Sequence, residues 1–359
     1  MKKSTLILLA IAAMAGIAAL VLALTRGRSA TFDQDFDIED TAAITKLFLA
    51  DKQNHSCTLS RTLGADGDTT WMVDGTWEAS KPLVTSALEI LHQMRIRERV
   101  NKAAIPNVLK NMAAKSIKIE VYQEAHRIDW FGGRLRLFPH EKLASTYYLG
   151  SETQDMMASY MYREGDRTPY VVHIPQFRGF IAPASFSTNP LLWRSHRIVD
   201  LPVQKIARVQ LEIGDAPQES FAVVRQGEGF QLQLLNPPNV APGFDTARVA
   251  QLLSSFTNLN FDEYAQVVPK AELDTTFSRP PRTILTVTDV NGHQRQLKTY
   301  IKYRNPDDVL AMPDTTMYQV FDLNRLYAVL DDKDTVLIQY FVFDNILQPA
   351  SFFLGKKQE

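Results

Sequence analysis

Five side chains near the middle of the chain have types that could bind a ligand or a partner. They are His173, Arg178, Arg194, His196 and Arg197. Guanidinium groups bind carboxylates and phosphates through paired hydrogen bonds, so such a cluster could hold an anion or the carboxylate of a protein partner. The alternative is that these side chains pack the two halves of the chain together, with arginine satisfying buried carbonyl groups. Both interpretations stay open at this point.

Other patterns that carry chemistry are missing from the sequence. The seven histidines form no H-E-x-x-H or H-x-H pair, so zinc catalysis has no support. The sequence contains no phosphate-binding loop, no G-x-G-x-x-G and no G-x-S-x-G elbow. We therefore expect no metal and no cofactor, and we lean towards a protein that is not an enzyme. Paired carboxylates need not be close in sequence, so an envelope enzyme that acts on cell-wall glycan remains an alternative.

Composition excludes some classes of partner. The chain has 359 residues, which is enough for two domains, and 45% of them are apolar. The 39 basic residues almost balance the 40 acidic ones, so we expect no nucleic acid partner. Cys57 is the single cysteine, which rules out a disulfide within the chain. Its strand-like surroundings favour a small buried apolar residue over a reactive thiol.

The first 40 residues predict a membrane anchor. Residues 4–25 form a run of 22 residues without charge, which covers a hydrocarbon core of about 30 Å as a helix. On this interpretation residues 1–3 form a cytoplasmic tail and residues 26–40 an acidic spacer. We expect a single-pass protein of the inner (cytoplasmic) membrane that contacts the lipid bilayer through residues 4–25, with the rest periplasmic. A cleaved signal peptide and a buried helix of a soluble protein are the alternatives.

Residues 41–200 read as a first unit of α+β structure. Short alternating segments at 44–49, 57–61, 117–122 and 134–138 predict strands joined by hairpins. Residues 95–99 predict an edge strand with a solvated face. Helices are expected from Ser80 as N-cap and over 107–115. Many strands with few helices favour antiparallel sheets that carry a helix on one face.

Residues 201–345 repeat this plan. Ile44, Leu47 and Leu49 recur as apolar residues exactly 162 positions later, and the same offset relates Leu59 to Phe221 and Met94 to Phe256. Residues 190–195 and 322–330 predict matching helices, and residues 346–359 are assigned to a C-terminal tail whose last residues, 356–359, are polar. The predicted fold class is therefore α+β: an N-terminal transmembrane helix, then two similar units of antiparallel sheet with packed helices, related by internal duplication.

Three motifs in the first unit resemble a known bacterial family. They are Y-Y-L-G at 147–150, P-Y-V-V-H-I-P-Q-F-R-G-F at 169–180 and L-W-R-S-H-R-I at 192–198. Residues 77–197 are similar to the family called domain of unknown function 4340. The resemblance implies a membrane-anchored envelope protein. Some members lie beside ABC-type transport or gliding-motility components, which implies a scaffold or accessory subunit with a protein partner. The resemblance assigns no catalytic residue. A polymer- or lipid-binding module is a further alternative.

Overall fold

The computed structural model describes residues 36–63, 69–130, 135–303 and 321–354. The chain divides into two compact units, residues 1–195 and 196–359, five residues before the boundary at 200 that the sequence predicts. The predicted tail 1–3, the anchor 4–25 and most of the spacer 26–40 lie outside the described residues. Both units are α+β, and each is built on a large antiparallel sheet of nine strands.

The sheet of the first unit has the strand order β4-β3-β2-β1-β6-β7-β8-β9-β5. Its strands are β1 (Ile44–Ala50), β2 (Ser56–Leu63), β3 (Thr69–Val73), β4 (Trp77–Glu78), β5 (Arg95–Arg99), β6 (Ile117–Trp130), β7 (Leu135–Glu152), β8 (Ser159–Arg163) and β9 (Tyr170–His173). The expected edge strand at 95–99 is confirmed, because β5 pairs only with β9 among the described strands.

Helices cover both faces of this sheet, whereas the sequence predicts a helix on one face only. Helix α1 (Lys81–Gln93) begins after Ser80 and buries an apolar stripe in the main core. Helix α2 (Ile105–Lys115) packs Met112 against a smaller core that includes Tyr148. Tyr147 belongs to the main core, and neighbouring residues of a strand point to opposite faces. The two helices therefore lie on opposite faces of the sheet.

The sheet of the second unit has the order β14-β13-β12-β11-β17-β18-β19-β20-β16, and β10 pairs with β15 separately. The strands are β10 (Arg197–Val199), β11 (Ile206–Ile213), β12 (Phe221–Gln226), β13 (Gly229–Leu235), β14 (Pro238–Val240), β15 (Leu259–Asn260), β16 (Glu263–Tyr264), β17 (Thr283–Asp289), β18 (Gln294–Tyr303), β19 (Phe321–Leu330) and β20 (Asp334–Gln339).

In the described part of the second unit the sheet is accompanied by the α-helices α3 (Thr246–Ser254), α4 (Lys270–Phe277), α5 (Tyr340–Phe343) and α6 (Ala350–Phe353). Asp245 caps α3, because its carboxylate accepts hydrogen bonds from the N–H groups of Ala247 and Arg248. The sequence assigns 346–359 to a C-terminal tail outside the second unit, whereas Ile346 and Phe353 are fully buried in the main core of that unit. Apolar residues spaced along 346–354 explain why this segment packs.

The two sheets have the same strand order, so the chain repeats one topology. Leu47 and Val209 are both fully buried at equivalent positions of β1 and β11. The predicted match between Leu59 and Phe221 is out of register by two residues. Leu59 pairs with Leu47, whereas Val223 pairs with Val209. The connection 214–220 is two residues longer than the connection 51–55, which shifts the equivalence.

The predicted pair of helices at 190–195 and 322–330 is wrong. Residues 322–330 belong to strand β19, which pairs with β18 on one side and β20 on the other. Leu326 and Ala328 face the main core while Tyr327 is buried in the smaller core on the other face. A strand buried on both faces loses its alternating pattern and reads like a helix. Residues Pro190–Trp193 form only a short 3₁₀ turn.

Candidate functional site

Three of the five predicted site residues belong to the first unit. His173 ends β9 and pairs in register with Arg95. Arg178 lies in the loop after β9 with its side chain exposed to solvent. Arg194 is buried, with 7% of its surface exposed, and its guanidinium carbon lies 4.8 Å from the centre of the Trp77 ring.

The segment around Arg194 is fastened to the start of α1. The N–H of Ser80 donates to the carbonyl of Trp193 at 2.7 Å, and the N–H of Ser195 donates to the carbonyl of Glu78 at 2.8 Å. The indole Nε1 of Trp193 donates to the carbonyl of Ser187 at 2.7 Å. These contacts explain the L-W-R-S motif as a clamp between this segment and β4. They pack Arg194 within the first unit, and packing of the two halves by these side chains stays a prediction.

The other two predicted residues belong to the second unit. The ring of His196 stacks on Phe261 at 4.7 Å and meets the edge of Tyr264 at 5.6 Å. Burial lowers the pKa of His196 below its usual 6.5, although a hydrogen bond to the Asp262 backbone opposes that shift. Arg197 lies on β10 and forms an ion pair with Asp200 at 3.3 Å. The role of the five residues as a partner or anion contact therefore stays a prediction.

Sequence reasoning missed a projection of the first sheet. Strands β6 and β7 pair from Ile117–Leu149 as far as Trp130–Leu135. Strand β1 pairs with β6 only as far as Gln123, and strand β8 pairs with β7 only from Tyr147 onwards. Residues 124–130 and 135–143 therefore extend past the sheet as a ribbon of two strands, which we call the β6–β7 arm. Seven residues of strand span about 23 Å at roughly 3.3 Å per residue.

The base of the arm is held firmly. The carboxylate of Glu141 accepts hydrogen bonds from Thr45 Oγ1 at 2.9 Å and from Lys46 Nζ. Gln123 Nε2 donates to the carbonyl of Asp40 at 2.7 Å, and the N–H of Glu124 donates to the carbonyl of Ala43 at 2.8 Å. The arm therefore leaves the sheet with a direction fixed by β1.

Apolar side chains on the arm are exposed to solvent. Leu137 is 42% exposed, Phe138 64% and Leu143 44%. Ile128 pairs directly with Leu137, so both lie on the same face of the ribbon. Isolated ribbons of two strands are marginally stable in water, and exposed apolar groups on one add to that cost. Such a feature is typical of a surface that another molecule covers.

The outer edge of β6 in the arm is open. Beyond Glu124, none of the described strands pairs with residues 125–130 on that edge. This stretch has no proline, so the N–H and C=O groups that point away from β7 can pair with another strand. Strand β7 carries Pro139, which lacks an N–H. The β6 edge is therefore the better template for strand addition.

The second unit has no such arm in its described part. Its equivalent hairpin, β17–β18, begins its pairing at Thr288–Gln294, level with the end of β11. The Asn291-Gly292 pair makes the tight turn there. The sequence predicts only 117–122 of β6 as a strand, because residues 123–130, Q-E-A-H-R-I-D-W, contain few residues that favour strands.

The described part of the chain contains no group of three or more His, Cys, Asp or Glu residues placed to hold a metal ion. None of its helices is long and apolar enough to span a membrane, and the predicted anchor 4–25 lies outside that part. Cys57 is fully buried, as expected.

Comparison with known proteins gives one match. The family model described as Domain of unknown function (DUF4340) matches residues 74–277, which is more than half of the chain. The match covers the motifs at 147–150, 169–180 and 192–198. No curated protein and no solved structure matches the chain.

Proposed function

The chain belongs to the DUF4340 family, and from that premise we propose that it is an accessory or scaffold subunit of an envelope complex. On this proposal it is not an enzyme. Residues 4–25 anchor it in the inner membrane with the N-terminus cytoplasmic, and both units lie in the periplasm. The two units arose by internal duplication. The complex is an ABC-type transporter or a machine of the gliding-motility kind, a step that rests on family analogy.

The observation that carries the proposal is the β6–β7 arm. A ribbon that leaves its sheet with Leu137 and Phe138 exposed has no role in the core of its own unit. The first unit has the arm while the hairpin at the equivalent place of the second unit ends with its sheet. An addition to one copy of a repeated fold, placed at the surface, is typical of a binding function.

The partner that fits the arm is an extended strand of another protein subunit. Strand addition to residues 125–130 of β6 satisfies backbone groups that face solvent on that edge. Apolar residues at alternate positions of the incoming strand would lie beside Ile128 and extend the apolar face that Ile128 and Leu137 form. The arm is a ribbon with an exposed apolar face, so we favour a protein strand over a polymer or lipid as its partner.

A pair of matched variants tests this proposal. Leu137→Glu places a charge on the apolar face of the arm, and Leu83→Glu places one on the outer face of α1, where Leu83 is 47% exposed. The full-length protein with a C-terminal tag is crosslinked in intact membranes and purified. The wild type and Leu83→Glu should recover the same subunit of the complex, and Leu137→Glu should lose it. Recovery of that subunit with Leu137→Glu would refute the role of the arm.

One observation favours the glycan-cleaving alternative. A cavity of about 310 Å³ in the second unit is lined by two carboxylates, those of Asp215 and Asp344, together with Arg282 and Tyr340. Two carboxyl groups are the usual machinery of glycoside hydrolysis. Release of soluble fragments from cell-wall glycan by the wild type, abolished in both Asp215→Asn and Asp344→Asn, would establish this alternative. Absence of release by the wild type would remove it.

A further inference from the structure

A second cavity in the second unit has the features of a ligand site. It encloses about 370 Å³ beside the C-terminal end of α4 and the strand β18. This volume is within the range of small-molecule pockets, about 300–1,000 Å³. Its lining combines apolar and aromatic side chains with three charged ones. The residues used below are Asp215, Arg279, Pro281, Arg282, Tyr300 and Tyr303.

Hydrogen bonds and a close contact at Gly214 restrict the backbone around this cavity. The N–H of Gly214 donates to the carbonyl of Arg282 at 2.8 Å, and the N–H of Arg282 donates to the carbonyl of Thr299 at 2.8 Å. A Cβ atom on Gly214 would lie 2.7 Å from the carbonyl oxygen of Pro281, so only glycine allows this approach. One wall of the cavity is therefore held in place by the sheet.

Two arginines line this cavity, and Arg282 also lines the neighbouring cavity of about 310 Å³ described above. The guanidinium carbon of Arg279 lies 4.6 Å from the centre of the Tyr303 ring, and Arg282 donates to the hydroxyl of Tyr340 at 3.1 Å. Within the described ranges, neither arginine has an acidic side chain within ion-pair distance. Asp215 is the single carboxylate of the lining. The described lining therefore carries a surplus of positive charge next to aromatic and proline surfaces.

We propose that this cavity binds a small amphipathic anion, namely a carboxylate attached to an apolar body. The guanidinium groups of Arg279 and Arg282 together bind the carboxylate through charge-assisted hydrogen bonds, which arginine is suited to form. Tyr300 and Pro281 contact the apolar body, which excludes water from the charged pair and strengthens it. This inference is independent of the proposed accessory role, because it concerns a different unit from the β6–β7 arm.

The first unit has a cavity at the equivalent place, and the difference between the two supports the assignment. That cavity, of about 310 Å³, lies between α2 and β7, the counterparts of α4 and β18. Its cationic group is Lys52, whose Nζ lies 5.6 Å from the centre of the Tyr148 ring, and Glu164 lines the same cavity. The positive charge of the lysine and the negative charge of the glutamate cancel in the lining of that cavity. The repeated fold creates the space, and only the second unit lines it with two arginines.

Isothermal titration calorimetry with 4-phenylbutyrate tests the proposal. The full-length protein is reconstituted in lipid nanodiscs, and empty nanodiscs supply the blank. The alcohol 4-phenylbutanol has the same apolar body without the charge. We expect the wild type to bind 4-phenylbutyrate at least tenfold more tightly than 4-phenylbutanol, a difference of about 1.4 kcal/mol, because only the carboxylate accepts charge-assisted hydrogen bonds from the arginines.

Variants locate the site within the chain. Arg279→Gln and Arg282→Gln should each weaken binding of 4-phenylbutyrate at least tenfold. Arg248→Gln is the matched control, because Arg248 also lies over an aromatic ring, 4.3 Å from the centre of Phe352, but outside the cavity. The proposal is overturned if the wild type shows no binding heat, if the alcohol binds equally well, or if Arg248→Gln weakens binding as much as Arg279→Gln.

Discussion

Replacing Arg194 with alanine separates the two interpretations of the central motif. The side chain is 7% exposed and covers the Trp77 ring at 4.8 Å, while the backbone of its segment is bonded to Ser80 and Glu78. If Arg194 packs the first unit, Arg194→Ala lowers the free energy of unfolding of that unit. If it contacts a partner, the variant leaves stability unchanged and weakens capture of the partner.

The expected loss of stability can be worked out from these contacts. A partly desolvated cation–π contact contributes about 0.5–2 kcal/mol. Removal of two buried methylene groups costs about 1.6 kcal/mol at roughly 0.8 kcal/mol each. Relief of the desolvation of the charge offsets part of this sum, so we expect a loss of about 2 kcal/mol. With a denaturant slope of about 2 kcal/mol per molar urea, the midpoint of unfolding falls by about 1 M.

The single cysteine of the chain can serve as the probe of unfolding. Cys57 is the single cysteine, is fully buried in the first unit, and burial raises the pKa of its thiol to about 12. Labelling of the full-length protein with a thiol reagent across a urea series therefore reports unfolding of the first unit alone. The control is Arg178→Ala, which removes an exposed arginine from the same stretch and should leave the midpoint unchanged. A wild-type midpoint for Arg194→Ala would refute the packing interpretation, and so would an equal fall for Arg178→Ala.

Three further predictions follow from the buried groups. Cys57 should resist iodoacetamide at pH 8 in the native protein and react once urea unfolds it, whereas labelling of the native protein would show that the first unit opens. Tyr147→Phe should lower the free energy of unfolding of the first unit by about 1–3 kcal/mol, because the Tyr147 hydroxyl donates to the buried Phe36 carbonyl at 2.7 Å. The same thiol assay measures the change, and an unchanged midpoint of unfolding would contradict this prediction. Burial lowers the pKa of His196 in the folded protein below 6.5. As the pH drops below 6.5, the unfolded chain therefore binds a proton at His196 more readily than the folded chain does. The free energy of unfolding of the second unit should fall in that range. An NMR titration of the His196 ring should give a pKa below 6.5 that rises in Phe261→Ala, and a pKa at or above 6.5 in the wild type would contradict this account.

The apolar pattern of the sequence was sufficient for the α+β class and the repeated plan. Residues such as Val209 and Leu211 alternate with polar neighbours on a strand, and that period is visible in one sequence. Helix α1 was found because Ser80 and Pro82 mark its start. The sequence could not show that Leu59 corresponds to Val223, because the longer turn in the second unit changes the offset between the two copies without changing their apolar pattern.

The features that were missed depend on tertiary context. Tyr327 is buried in one core while its neighbours Leu326 and Ala328 are buried in another, so β19 shows no alternation. The β6–β7 arm was missed because a strand outside the sheet has no buried face to give a period. The sequence does not single out Arg279 and Arg282, because the aromatic side chains that meet them, Tyr303 of β18 and Tyr340 of α5, are distant in the sequence. The predicted Arg194 was found by its motif, and the structure places it in contact with Trp77.

Photocrosslinking from the β6 edge tests the central claim most directly. A photoreactive amino acid is placed at Arg127, which is exposed on the arm, and at Glu89, which is exposed on α1. Cells that express each full-length variant are irradiated, and the adducts are identified. The account predicts one adduct with a subunit of an envelope complex from position 127 and none from position 89. No adduct at position 127, or the same adducts from both positions, would contradict a partner strand on the arm.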